Sequence, residues 1–352
     1  MNRMRFPLLA LLALAVIFAA NTRPADAQEV HGFVEGLVGV RTAQGDGFEK
    51  GSYTAQESRL QLRIGGYGDD ASYFARVDFL YDPLFRTEPD YSDKVGVEIR
   101  EAHVTYTGIS GMDFKLGRQP LTWGTGDLLF INDVFAKDWE SFFIGRDTQY
   151  LKIPHNALRW GMYPSFANID LVLMPTFEAD RLPTPPRLDS YYPFGNAEPT
   201  LEEPENNLDQ GEVAARVSQN YGMWDVALYG HWGRLRQPLG AESFVPDTSV
   251  TLFYPRFDTY GASVRRPLLS GLVNLEAGYL YSRQDKEGSN PLIENSSFRG
   301  MWGYDRPLGG DTHLGIQGYY EQILDYGAYQ SSLAPGQPER KELRQLYTLR
   351  LT

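Results

Sequence analysis

The sequence predicts an all-β fold: a transmembrane antiparallel β-barrel of about fourteen strands, or about 16 to 18 if the chain is truncated at its end. Three observations point there. An export leader opens the chain, strand-length windows alternate apolar and polar residues, and the connections run long, short, long, short in strict order.

Residues 1–27 read as a cleavable secretory signal. Arg3 and Arg5 give a basic start, 6–20 is an apolar run, and Ala25-Asp26-Ala27 is a small-x-small cleavage site before Gln28. A membrane-spanning helix would need about 20 apolar residues, more than this run offers, and Pro24 precedes the cleavage site. The remainder, 28–352, is expected to form a single barrel domain in the outer membrane of a Gram-negative bacterium. Removing three arginines and one aspartate with the leader takes the net charge from −12 to close to −14. An acidic chain argues against nucleic acid as a partner. The absence of cysteine excludes disulfides, thiolate metal sites and CxxCH haem attachment. No cofactor is expected.

Barrel strands lining water should place apolar residues on one face and polar residues on the other. Leu60, Leu62 and Ile64 interleave with Arg59, Gln61 and Arg63, and Val77 and Phe79 with Arg76 and Asp78. Trp224, Val226 and Leu228 interleave with Asp225 and Tyr229, and Leu343, Tyr347, Leu349 and Leu351 with Arg344, Thr348 and Arg350. Fourteen such segments begin near 31, 57, 71, 97, 112, 157, 168, 211, 223, 257, 271, 296, 312 and 341.

Short links carry turn residues, as in Gly65-Gly66-Tyr67-Gly68-Asp69 and Gln219-Asn220-Tyr221-Gly222. Between them lie long links at 43–55, 82–94, 120–150, 176–210, 234–256, 284–294 and 325–339. With the N-terminus in the periplasm, every long link is extracellular. A soluble sandwich has no reason to keep this order. Tyr67, Tyr81, Trp160, Trp224, Trp232 and Trp302 near strand ends suit interfacial girdles, although aromatic β-propensity alone would also enrich them. The chain stops at Leu351-Thr352 without the terminal aromatic usual in such barrels, so either further hairpins are expected beyond it or the chain departs from that rule.

Taking the polar phase of each strand gives an expected pore lining of Arg41, Arg59, Arg63, Arg76, Arg159, Arg216, Arg265, Arg299, Arg344 and Arg350, with Lys115. Glu35, Asp78, Glu101, Asp170, Glu212, Asp225, Glu276 and Glu321 share that phase. Two readings follow: an anion-preferring channel, or a ladder of arginine–carboxylate pairs that satisfies the wall. The 120–150 link is rich in apolar residues and must pack against something. It is expected either to fold inward as a constriction, with Trp123, Asp127, Asp133, Lys137 and Arg146 among its members, or to cap the rim or meet another protomer. The proline-rich 176–210 link reads as a plain exposed loop.

Gly117-Arg118-Gln119, followed by Thr122-Trp123-Gly124, resembles the Gly-Arg-Gln…Trp-Gly pattern of the alginate-export and related large outer-membrane porin group. The resemblance covers this motif and the strand layout. It implies passive passage of anionic or organic solutes through an arginine-lined lumen, a glycine that lets a strand end pack closely, and an arginine at 118 in the wall or constriction.

The function expected is an outer-membrane channel for passive diffusion of small solutes, not an enzyme. The five histidines show no HExxH spacing, and no GxSxG elbow is present. The alternatives are a barrel sheath for a partner such as an electron-transfer cytochrome, and an outer-membrane receptor or adhesin. Expected partners are the solutes, outer-membrane lipid, the barrel-assembly machinery and, in one reading, further copies of the chain.

Overall fold

The computed structural model describes residues 27–45, 48–84, 95–126, 128–183, 187–188, 194–245, 247–334, 337 and 339–352. Apart from Ala27, the expected leader lies outside them. In chain order the strands are β1 (Ala27–Val40), β2 (Tyr53–Tyr67), β3 (Ala71–Tyr81), β4 (Val95–Ile109), β5 (Met112–Pro120), β6 (Pro154–Met162), β7 (Asn168–Met174) and β8 (Glu198–Glu202). They continue as β9 (Glu212–Tyr221), β10 (Trp224–Arg234), β11 (Gly240–Val245), β12 (Ser249–Phe253), β13 (Arg256–Leu268), β14 (Gly271–Ser282), β15 (Ser297–Gly309), β16 (Thr312–Ile323) and β17 (Leu343–Leu351).

Fourteen of these form one sheet in the order β1-β2-β3-β4-β5-β6-β7-β9-β10-β13-β14-β15-β16-β17. The fold is all-β, and each of the fourteen starts within four residues of its expected position. Two-residue turns at 110–111, 222–223, 269–270 and 310–311 join neighbouring strands. Gly111, Gly222 and Gly310 supply the positive φ such turns require, while Leu269 and Ser270 adopt it at φ 51° and 60° despite their side chains.

Alternation becomes two unlike faces. On β2, Leu60, Leu62 and Ile64 are 39–41% exposed, whereas Arg59 and Gln61 are 2% and 0% exposed. Directly opposed residues share a face, so Arg59, Gln61 and Arg63 face Leu80, Asp78 and Arg76 of β3. The other face of the strands carries exposed apolar side chains, including Phe79, Leu228, Leu275, Trp302 and Leu349.

The chain divides into two compact units. One takes the described residues of Met1–Leu121, Ala136–Trp160 and Glu178–Tyr191; the other takes those of Thr122–Phe135, Gly161–Phe177 and Tyr192–Thr352. Within the first, the chain after β5 forms a short helix, Trp139–Phe143, and a 3-10 turn, Thr148–Leu151. Asp138 caps the helix by accepting from the Ser141 amide at 2.7 Å.

The second unit holds a feature the sequence reading missed. β11, β12 and β8 form a separate three-stranded sheet in which β12 and β8 are parallel. Its core is Ala197, Ala241 and Val250, packed by Phe194, Phe244, Leu252 and Leu292. The 176–210 link is therefore not a plain exposed loop. It contributes β8 and the buried Ala197, although the β8 side chains themselves are exposed.

Candidate functional site

In the first unit, the polar face of β2, β3 and β4 is built around Arg59. Its guanidinium donates to Glu57 Oε1, with Nη2 at 2.6 Å and Nε at 3.0 Å, and pairs with Asp78. Gln61 Nε2 donates to Asp78 Oδ1 at 2.8 Å and to the Tyr150 hydroxyl at 3.1 Å. The Tyr150 ring, from the 3-10 turn, covers Arg59 at 3.8 Å and lies 5.3 Å from the Arg100 guanidinium. Burial pushes the Tyr150 hydroxyl up to about 12.

Arg100 arrives on this face through a β-bulge. Arg76 pairs with Glu101 and the next residue, Val77, pairs with Ile99, so Arg100 is the extra residue between them. Its side chain is 1% exposed on the carboxylate of Glu98 at 3.1 Å and donates to the Lys152 carbonyl at 2.8 Å. The bulge therefore puts Glu98, Arg100 and Glu101 together on the polar side, where strict alternation allows either the even or the odd residues.

The segment 136–153 is held down by charge at several points. Arg146 Nε donates to Glu57 Oε2 at 2.8 Å, and Arg76 Nη1 to Gln149 Oε1 at 2.8 Å. Arg181 pairs with Asp138 at 2.7 Å, and Arg187 bridges Asp82 at 2.9 Å and Glu140 at 3.2 Å. Buried charges are tolerated only when paired and hydrogen-bonded. Here each carboxylate meets at least one guanidinium.

In the second unit, the segment 122–135 lies on the polar face of β13 to β16. Glu276, 4% exposed on β14, accepts from the Thr125 amide at 2.7 Å, the Thr125 hydroxyl at 2.9 Å and the Asn132 amide at 2.7 Å. Asn132 Nδ2 donates to the Ala262 and Ala277 carbonyls at 3.3 and 3.2 Å. Gly261 permits this approach, since a Cβ there would overlap the Asn132 side chain. Ile131 packs with Met301 and Tyr319, and the Leu128 amide donates to Gln317 Oε1 at 3.1 Å. Arg236 donates to the Val134 carbonyl at 2.9 Å and pairs with Glu212 at 2.6 Å.

The expected lining residues take the following places. Arg59, Arg63 and Arg76 lie on the polar face of β2 and β3, and Arg159 on the same side of β6 as the buried His155 and Ala157. Arg216 is 3.8 Å from Asp170; Arg299 and Arg344 share Glu321 at 2.9 and 2.7 Å. Arg265 opposes Asp225, and Arg350 opposes Gly315. Arg41 lies past the end of β1, where it donates to Ser52 Oγ at 2.8 Å and to the Arg187 carbonyl. Many of these arginines thus sit in carboxylate ladders. Of the expected constriction residues, Asp127 lies outside the described residues. Trp123 packs on Phe135 and Tyr229 at 5.1 and 6.1 Å between centroids. Asp133 and Lys137 are buried, Asp133 accepting from Thr122 Oγ1 at 2.9 Å, and Arg146 is turned onto Glu57 of β2.

Arg118 donates to the Ile99 carbonyl at 2.8 Å and pairs with Glu178 at 3.1 Å. Gly117 adopts φ 130° against the Ala102 carbonyl, a position closed to any side chain. Gln119 is buried and donates to the Ala157 carbonyl at 3.1 Å. Glu57, Asp82, Arg100, Tyr150 and Arg187 were not singled out from sequence. Glu57 shares the parity of Arg59, which is the one signal that could have found it.

No protein-family model matches the chain, and no curated protein sequence matches it. Among solved structures, it is similar to OmpT, an outer membrane protein of Vibrio cholerae, folded in vitro and in trimer form. That alignment has 11% identity over 84% of this chain and 78% of that one, with a TM-score of 0.46. It is also similar to an anion-selective porin from Comamonas acidovorans, at 14% identity over 84% and 80%, with a TM-score of 0.42. A third similar structure is OmpF of Salmonella typhi in complex with daunomycin, at 8% identity over 84% and 79%, with a TM-score of 0.44.

Proposed function

We propose that this chain is a channel of a Gram-negative outer membrane, passing small anionic or organic solutes by diffusion. The observation that carries the reading is the contrast between the two strand faces: Leu60, Leu228, Leu275 and Leu349 stand exposed on one, while arginines and carboxylates fill the other. An exposed apolar surface of this extent is costly in water and at home in lipid. The inner strands of the large sheet pair on both sides, as a hydrocarbon environment demands of backbone polar groups. The charged face then borders water, and the 120–150 link, seated on that face, narrows the path. Membership of the alginate-export group, suggested by the motif at 117–124, belongs to the same proposal, as do cleavage of the leader and contact with outer-membrane lipid.

The test is the reversal potential of the refolded chain in a planar bilayer under a KCl gradient. Stable conductance with anion preference supports the reading. Cation preference keeps the channel and overturns the anionic solute class. Silence from an inserted, folded chain overturns the channel and leaves a sheath or receptor.

A further inference from the structure

Arg63 and Arg76 are directly opposed in the β2–β3 register, on the polar face. Directly opposed residues hold their Cβ atoms about 5 Å apart, and like charges in that position repel. Most arginines of this face are neutralised by a nearby carboxylate. Arg63 is not: among the described residues it meets only Gln61 Oε1, through Nε at 2.5 Å, and the Phe33 ring at 5.7 Å. Arg76 has one carboxylate, Glu101 at 3.0 Å, and its Nε is buried without a hydrogen-bond partner.

The surroundings add positive charge. Glu101 also lies 3.4 Å from His103, so it is shared. His103 and Thr105 oppose Gly117 and Lys115, which brings Lys115 onto the same face of β5. Arg159 follows on β6, while its neighbour Trp160 stacks on Phe114 on the opposite face. Arg63, Arg76, Lys115 and Arg159 thus share this face with Glu101, Asp113 and Asp78, the last already paired with Arg59.

We propose that the Arg63–Arg76 pair is a binding station for a small oxyanion, of which a carboxylate is the fitting class. Two guanidiniums on directly opposed residues offer the forked donors that bind a carboxylate bidentately. The anion supplies the charge that the opposed pair lacks. Gln149, accepting from Arg76 Nη1, fixes one guanidinium for that role. The station rests on the channel reading and gives its solute a chemical class.

The experiment uses the detergent-folded full chain with succinate as the probe, read by ligand-observed saturation-transfer NMR. Conductance of the same preparations is read in bilayers with and without succinate. Arg63→Gln and Arg76→Gln are each expected to weaken succinate binding about fivefold, the effect of one unit charge at contact distance in water. Arg266→Gln is the control, since Arg266 stacks on Trp224 at 4.6 Å and lies on β13, which pairs with neither β2 nor β3. Equal binding in wild type and Arg63→Gln, or no binding in wild type, overturns the station whether or not the chain conducts. Binding that depends on Arg63 in a chain that never conducts supports the station and overturns the channel alone.

Discussion

Arg59 shows what a single residue does for this wall. It stands between Glu57 and Asp78, all three almost wholly buried, with Tyr150 closing the top. Replacing it with methionine leaves the buried Asp78 without a cation and Glu57 with Arg146 alone, so Arg59→Met should cost about 3–5 kcal/mol. Thermal unfolding in detergent checks this, and adding Asp78→Leu should recover part of the loss. Glu276 has the matching role in the other unit. Glu276→Gln keeps one acceptor oxygen but loses the charge, and hydrogen bonds to charged groups are worth about 1.5–3 kcal/mol. Proteolysis within 122–135 should accelerate, and an unchanged cleavage rate would show that Glu276 does not hold the segment. Tyr150 adds a pH signature. Its hydroxyl, pushed up to about 12 from 10.0, stays neutral in the folded chain while the unfolded chain ionises. The stability it contributes is present below about pH 10 and is lost as pH rises through about 12. Alkaline absorbance of wild type minus Tyr150→Phe should show a late phenolate; one appearing near 10 would contradict the burial described.

At the scale of elements, parity was readable and interruptions of parity were not. Leu60, Leu62 and Ile64 against Arg59, Gln61 and Arg63 assign both faces of β2, because a two-residue period has one solution once one face is apolar. The same logic fails at Arg100, where the extra residue of the bulge has no signature in the alternation. The helix Trp139–Phe143 was hidden for another reason. Five residues are too few for a helical period to emerge, and the helix stands by virtue of its Asp138 cap and surrounding ion pairs. Glycines were legible as turns but not as seats. Gly261 looks like any strand glycine, yet Asn132 occupies the space its side chain would take. Gly261→Val should therefore unseat the 122–135 segment and shift Trp123 fluorescence toward the red; an unchanged emission would show that the segment reaches its place without that gap.

For the whole molecule, the strict order of long and short links proved the most informative pattern, since it anticipated all fourteen strands of the large sheet. It is a global property, imposed when strands are joined at two ends with different demands. What it left out lay inside the long links. β8, β11 and β12 are only five or six residues each, too short for an alternation to stand out, and β8 is exposed throughout. Their pairing carries a kinetic consequence. β8 leaves the chain before β9 and β10, yet its parallel partner β12 comes after both. Closing that contact spans roughly fifty residues, a loop whose entropy is recovered only when the parallel ladder forms. The β9–β10 hairpin, joined by a two-residue turn, has no such delay. The small sheet is thus a late-setting seal: during refolding, amide protection should appear in β9 and β10 before it appears in β8 and β12.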